Sequence, residues 1–199
     1  MTYTVVGSAK TRAFRVVWML EELGLAYNHI PEFPGSDAVR AHNPQGKIPV
    51  LLVDDHAVTD SVAILQFLAD RHGALTAPAG SLDRAHQDAM THFLLDEFDA
   101  VLWTAARHSF VLPEEKRVPE VKPSLKWEFE RSLKVLIERM GDGPFVMGAE
   151  MSVPDILLTH CAGWAERAEF PLDAPTLTDY LGRMRSRPAF QKALAAQSA

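Results

Sequence analysis

From Met1 to about Gly73, short apolar runs alternate with stretches whose apolar residues recur every three or four positions. Tyr3 to Val6 reads as a brief strand. From Thr11 the spacing turns helical, with Ala13, Val16, Val17, Leu20 and Leu23 on one face. Gly24 supplies the stop, because glycine tolerates the left-handed conformation at a helix end. Tyr27 to Ile30 is a second strand, parallel to the first because a helix carries the chain across. A polar stretch from Pro31 to Lys47 holds one short helix around Asp37 to His42. Val50–Val53 and Ala57–Val58 flank Asp54-Asp55-His56 as a tight antiparallel hairpin. Ser61, Ile64, Leu65 and Leu68 then mark a second helical face that ends near His72-Gly73. The predicted order is β-α-β, a loop, then β-β-α: a small mixed sheet with helices against it.

Past Gly73–Gly80, rich in small residues and turn formers, strand signals almost vanish. Asp83 to about Phe110 is a long, less regular helical stretch. Leu125, Phe129, Leu133, Leu136, Ile137 and Met140 trace a helical stripe, with Glu130 and Lys134 paired one turn apart on the wet side. Further helices fit Ser152–Glu166, Ala174–Arg185 and a short segment after Pro188. The chain therefore divides into an α/β domain over residues 1–75 and an all-α domain over residues 82–199.

Composition narrows the function. Over 199 residues, 47% are hydrophobic and 23% charged, which suits a globular protein rather than a disordered one. No apolar run reaches the ~18 residues of a membrane span, and the first residues carry no secretory pattern. The single cysteine, Cys161, excludes an internal disulfide and a multi-cysteine zinc site, and it suits a reducing cytoplasm. The histidines lack metal-ligand spacing, so no metal is expected. A net charge of −6 disfavours nucleic acid as a partner.

Three segments carry candidate chemistry, each with an ordinary structural alternative. In Asn43-Pro44-Gln45-Gly46-Lys47-Ile48-Pro49-Val50-Leu51 a proline opens a strand, where it cannot donate to a sheet ladder. A cis Ile48–Pro49 bond would leave the Ile48 backbone groups to pair with an extended peptide; the alternative is a loop entering a routine strand. Thr59-Asp60-Ser61 opens a helix, so Asp60 or Ser61 is an expected N-cap. The same place suits a ligand carboxylate on the helix N-terminus and a ligand ammonium on Asp60. Gly7-Ser8-Ala9-Lys10-Thr11-Arg12 is a strand-to-helix turn whose hydroxyls either cap the helix or donate to a sulfur anion, lowering a thiol pKa.

Taken together, these segments resemble the glutathione transferase superfamily over essentially the whole chain. The pieces that carry the likeness are Arg15–Leu25, Asn43–Leu51, Thr59–Ile64 and Arg187-Pro-Ala-Phe190, with Met151-Ser-Val-Pro-Asp-Ile156 as a capped helix start. The resemblance implies a thioredoxin-like N-terminal domain joined to an all-helical C-terminal domain, as a cytoplasmic homodimer. It implies glutathione as co-substrate, held by Ile48 and the cis-proline Pro49 at its cysteinyl part, by Asp60 and Ser61 at its γ-glutamyl end, and by Lys47 at its glycyl carboxylate. Gly7 stands where tyrosine-type members carry their tyrosine, and the turn has no cysteine. The resemblance to serine-type members, counted back from Gly24, implies Thr11 as the thiolate donor, with Ser8 as the other candidate.

The implied reaction is attack of glutathione thiolate on a small electrophile, with peroxide reduction as a related outcome. Trp103, Arg107 and Phe110, with Trp164, are candidate walls for the second substrate. Two other readings share the fold: a non-catalytic interaction protein and a glutathione-dependent isomerase.

Overall fold

The computed structural model describes residues 2–197. They form two compact units: one runs to Ala79 and resumes at Arg183, and the other spans Gly80–Gly182. In the first, strands β1 (Tyr3–Val6), β2 (Tyr27–Ile30), β3 (Val50–Val53) and β4 (His56–Thr59) form one sheet ordered β2-β1-β3-β4. β1 is parallel to β2 and antiparallel to β3, which pairs antiparallel with β4. Helices α1 (Ala13–Glu22), the short α2 (Asp37–Arg40) and α3 (Ser61–His72) complete a thioredoxin-like arrangement. Gly24 and Gly73 both take the left-handed conformation, at φ 64° and 61°, where the helices stop.

The expected one-sided burial of α1 is exceeded. Arg15, Trp18 and Met19, off the predicted face, are also fully buried. For Trp18 the cause lies far along the chain: α9 (Pro188–Ala195) packs against α1, with the Phe190 ring edge-on to Phe14 and Trp18 at 5.2 and 5.0 Å, while α3 packs on α1 as well. Arg187 fastens it with a two-pronged ion pair to Glu22, both contacts 2.7 Å.

The second unit is helical. Its α4 (Leu82–Leu94) and α5 (Ala100–Ala106) belong to one long run in which Leu95–Asp99 and Arg107–Val111 widen into π-helical turns. α6 (Lys122–Met140) shows the expected stripe, with Glu130 and Lys134 3.2 Å apart on its wet side. α7 (Val153–Arg167) is almost wholly buried over its first nine residues, and α8 (Pro175–Arg185) follows. No helix among the described residues is long and apolar enough to cross a membrane.

Candidate functional site

Sheet register gathers the candidate residues. Val6 pairs with Val50, and Val50 with Thr59. The end of β1, the start of β3 and the end of β4 therefore lie side by side at one edge of the sheet. The segments that continue them, Gly7–Thr11, Ile48–Pro49 and Asp60–Ser61, meet there. Packing at this end is close: a Cβ on Gly7, which sits at φ 138°, would come within 2.9 Å of the Ile48 Cβ. Ile48 also packs on the buried cluster of Val6, Val39 and Val50.

The Ile48–Pro49 peptide bond is cis. Among the described residues neither backbone group of Ile48 has a hydrogen-bond partner. The loop before it is stapled from within. Gly35 N–H donates to the Gly46 carbonyl, Arg40 donates to the carbonyls of Gly35 and Pro44, and Asn43 Nδ2 donates to the Lys47 carbonyl at 2.9 Å. These bonds fix the Lys47 backbone while its side chain stays in solvent.

At the start of α3, one Asp60 oxygen accepts from the N–H groups of Val62 and Ala63, at 2.9 and 3.0 Å. The first N–H of the helix, on Ser61, and the second Asp60 oxygen have no partner among the described residues. Asp60 adopts φ 71°, a left-handed value that costs a non-glycine residue on the order of 1–3 kcal/mol. Ser61 is buried, and its Oγ accepts from the guanidinium of Arg15 at 3.2 Å. Arg15 is fully buried on α1 and had no local signature: the spacing of apolar residues puts it off the core face.

In the turn after β1, the Thr11 hydroxyl donates to the Ser8 carbonyl at 2.7 Å and accepts from the Ala13 N–H at 3.2 Å. The same carbonyl also receives the Thr11 N–H. Ser8 is buried, and its Oγ accepts from the Lys10 N–H at 3.3 Å. Thr11 is half-exposed. Among the described residues no three His, Cys, Asp or Glu side chains cluster as metal ligands.

The candidate second-substrate residues lie in the helical unit. Trp103 packs edge-on to Trp164, ring centres 6.5 Å apart. Arg107 is exposed and donates to Thr104 Oγ1 at 2.9 Å. Phe110 is 69% exposed at the rim of a cavity that Trp164 also lines. Trp103 and Arg107 do not line it.

The first unit is thioredoxin-like, with an unpaired strand entry beside an open helix start, and a helical unit follows it. Residues 11–71 match the family model described as "Glutathione S-transferase, N-terminal domain", and residues 98–188 the one described as "Glutathione S-transferase, C-terminal domain". The chain belongs to the glutathione transferase superfamily. Among its relatives is the Glutathione S-transferase GstA of Escherichia coli O157:H7, 29% identical over 161 residues, 79% of this chain and 77% of that one. A solved beta-class glutathione S-transferase of Sphingomonas chungbukensis is 27% identical with a TM-score of 0.81, over 98% of each chain. The theta-class enzyme of Xanthomonas axonopodis pv. citri, solved with glutathione bound, shares the fold at 24% identity and a TM-score of 0.77, over 96% of each chain.

Proposed function

We propose that this protein is a glutathione transferase that conjugates glutathione thiolate to small electrophiles. The observation that carries the reading is the set of unused polar groups at one sheet end: the Ile48 N–H and C=O, the Ser61 N–H and one Asp60 oxygen. Together they suit an extended γ-glutamyl peptide. Ile48 pairs with its cysteinyl backbone, the Ser61 N–H takes the α-carboxylate at the positive end of α3, and Asp60 takes the ammonium. Lys47 takes the glycyl carboxylate. The reading carries with it a cytoplasmic homodimer.

Thr11 donates to the sulfur. Its proton leaves the Ser8 carbonyl for the thiolate, a stronger charge-assisted bond, and the carbonyl keeps the Thr11 N–H. The Ala13 N–H stays on the threonine oxygen throughout. Ser8, with its own proton uncommitted, is the second donor. The thiol loses its proton to solvent, sulfur forms a bond to the electrophilic carbon, and the leaving group departs with its electron pair. Glutathione titration followed by ultraviolet thiolate absorbance against pH tests this. Wild type should show a bound thiol ionising well below its free pKa, and Thr11→Val should raise that pKa by about one unit or more. Binding without an early thiolate signal overturns the transferase reading, and loss of the signal in Ser8→Ala alone moves the role to Ser8.

A further inference from the structure

A second cavity of the helical unit, of about 390 Å3, lies between α4, the end of α6 and the loop leading to α7. Three of its eight lining residues are methionines, Met90, Met140 and Met147, in a chain that holds seven methionines among 199 residues. Methionine in a core usually fills an irregular gap. Here the gap stays open beside three of them, so filling it does not account for their gathering.

A fourth donor is an imidazole. His86 stands one turn before Met90 on α4, so both reach the same cavity. His86 is exposed at its mouth, and among the described residues its ring makes no hydrogen bond or ion pair. Met90 and Met140 are each 6% exposed and form the floor. Met147 is presented by a fixed loop. Phe145 and Gly148 exchange two backbone hydrogen bonds across it, both 3.1 Å, and the Val146 N–H donates to the buried Asp155 carboxyl. A Cβ on Gly143 would come within 2.8 Å of the Gly148 backbone, so the loop is also closely packed.

The donor chemistry selects the ligand. Among the described residues the lining has no carboxylate and no thiol, so it offers little to zinc, calcium or magnesium. Thioether sulfur is soft and uncharged, and together with imidazole it suits Cu(I). Arg139 also lines the cavity, its guanidinium 4.2 Å from the centre of the Phe93 ring, whose face takes up part of its charge. A positive neighbour of this kind penalises a divalent ion more than a univalent one. We propose that this cavity is a Cu(I) site, with the sulfurs of Met90, Met140 and Met147 and the His86 imidazole as its ligands. Every group invoked belongs to the helical unit, and none to the glutathione site.

Anaerobic transfer of Cu(I) from its coloured bicinchoninate complex to the full chain, without glutathione, tests it. Wild type should withdraw one equivalent, whereas Zn(II) offered from a coloured chelator should stay where it is. Met147→Leu keeps the volume at a half-exposed position and should weaken retention about tenfold or more, at least what a lost outer-shell partner costs a metal site. His86→Ala, at an exposed position, should weaken it as well, and serves if the loop variant misfolds. Cys161→Ala should leave transfer unchanged, since that thiol does not line the cavity. No transfer to wild type, retention unchanged in Met147→Leu and His86→Ala, or zinc held as firmly as Cu(I) would overturn the proposal. Glutathione titrated into separate metal-free samples reports the other site: its failure to bind breaks the transferase reading and leaves the metal site untouched.

Discussion

Two helices of this protein start with the same residue types and put them to opposite ends. At α7, Ser152 and Asp155 form a reciprocal capping box deep in the helical unit. One Asp155 oxygen accepts from the Val146 N–H and the Tyr180 hydroxyl, and the other from the Ser152 N–H and hydroxyl. Burial pushes its carboxyl above the usual range, and those hydrogen bonds pull the other way. At α3, Asp60 is exposed and uses one oxygen for two helix N–H groups, on a left-handed backbone. The first cap is saturated; the second keeps unused capacity on a strained backbone.

The largest effect that breaks the comparison is at α7. Asp155→Ala strands the N–H groups of Val146 and Ser152, at roughly 1–3 kcal/mol for each buried donor, and takes the carboxylate from the hydroxyls of Ser152 and Tyr180. The urea midpoint should fall by an amount equivalent to about 4 kcal/mol, much of a typical folding margin. Glutathione affinity of the fraction still folded should not change. Asp60→Gly inverts that outcome. Glycine relieves the strain at φ 71°, and its greater backbone entropy and the lost side-chain cap offset much of that gain, so stability should not fall and should move by about 1 kcal/mol or less. Glutathione affinity should nevertheless drop by about tenfold or more, equivalent to ~1.4 kcal/mol of lost ammonium contact. Equal losses in both readouts would make Asp60 an ordinary cap.

The smallest effect belongs to a carboxylate that is neither buried nor in the site. Asp54, in the turn between β3 and β4, accepts from the Thr2 N–H, which holds its carboxyl below the usual range. A lowered native pKa adds stability above the unfolded value of about 3.9, and that stability is lost as pH falls through the native one. Asp54→Asn should flatten a shallow acid-side decline in urea midpoint and leave neutral stability nearly unchanged.

What the sequence shows is whatever neighbours within a turn or two determine. Gly24 and Gly73 mark helix ends, Leu125 to Met140 mark a buried stripe, and Pro49 marks a strand entry. The π-helical turns show only as the less regular apolar spacing between Asp83 and Phe110, because an extra residue shifts the buried face without marking where the turn widens. Arg15 looks like a surface cation because its partner, Ser61, lies 46 residues on. Lys122, Lys126 and Arg167 look like solvated charges because two separate helices, α6 and α7, must fold before the three line one cavity.

The return of α9 to the first unit also sets an order of events during synthesis. Phe14 and Trp18 leave the ribosome early, but Phe190 and Arg187, which cover and clasp their helix, emerge after the whole helical unit. The thioredoxin-like unit thus waits with an aromatic face bare while roughly half the chain is still being made. A nascent chain stalled short of Arg187 presents that face to chaperones, and the last two turns of helix act as the latch that ends the exposure.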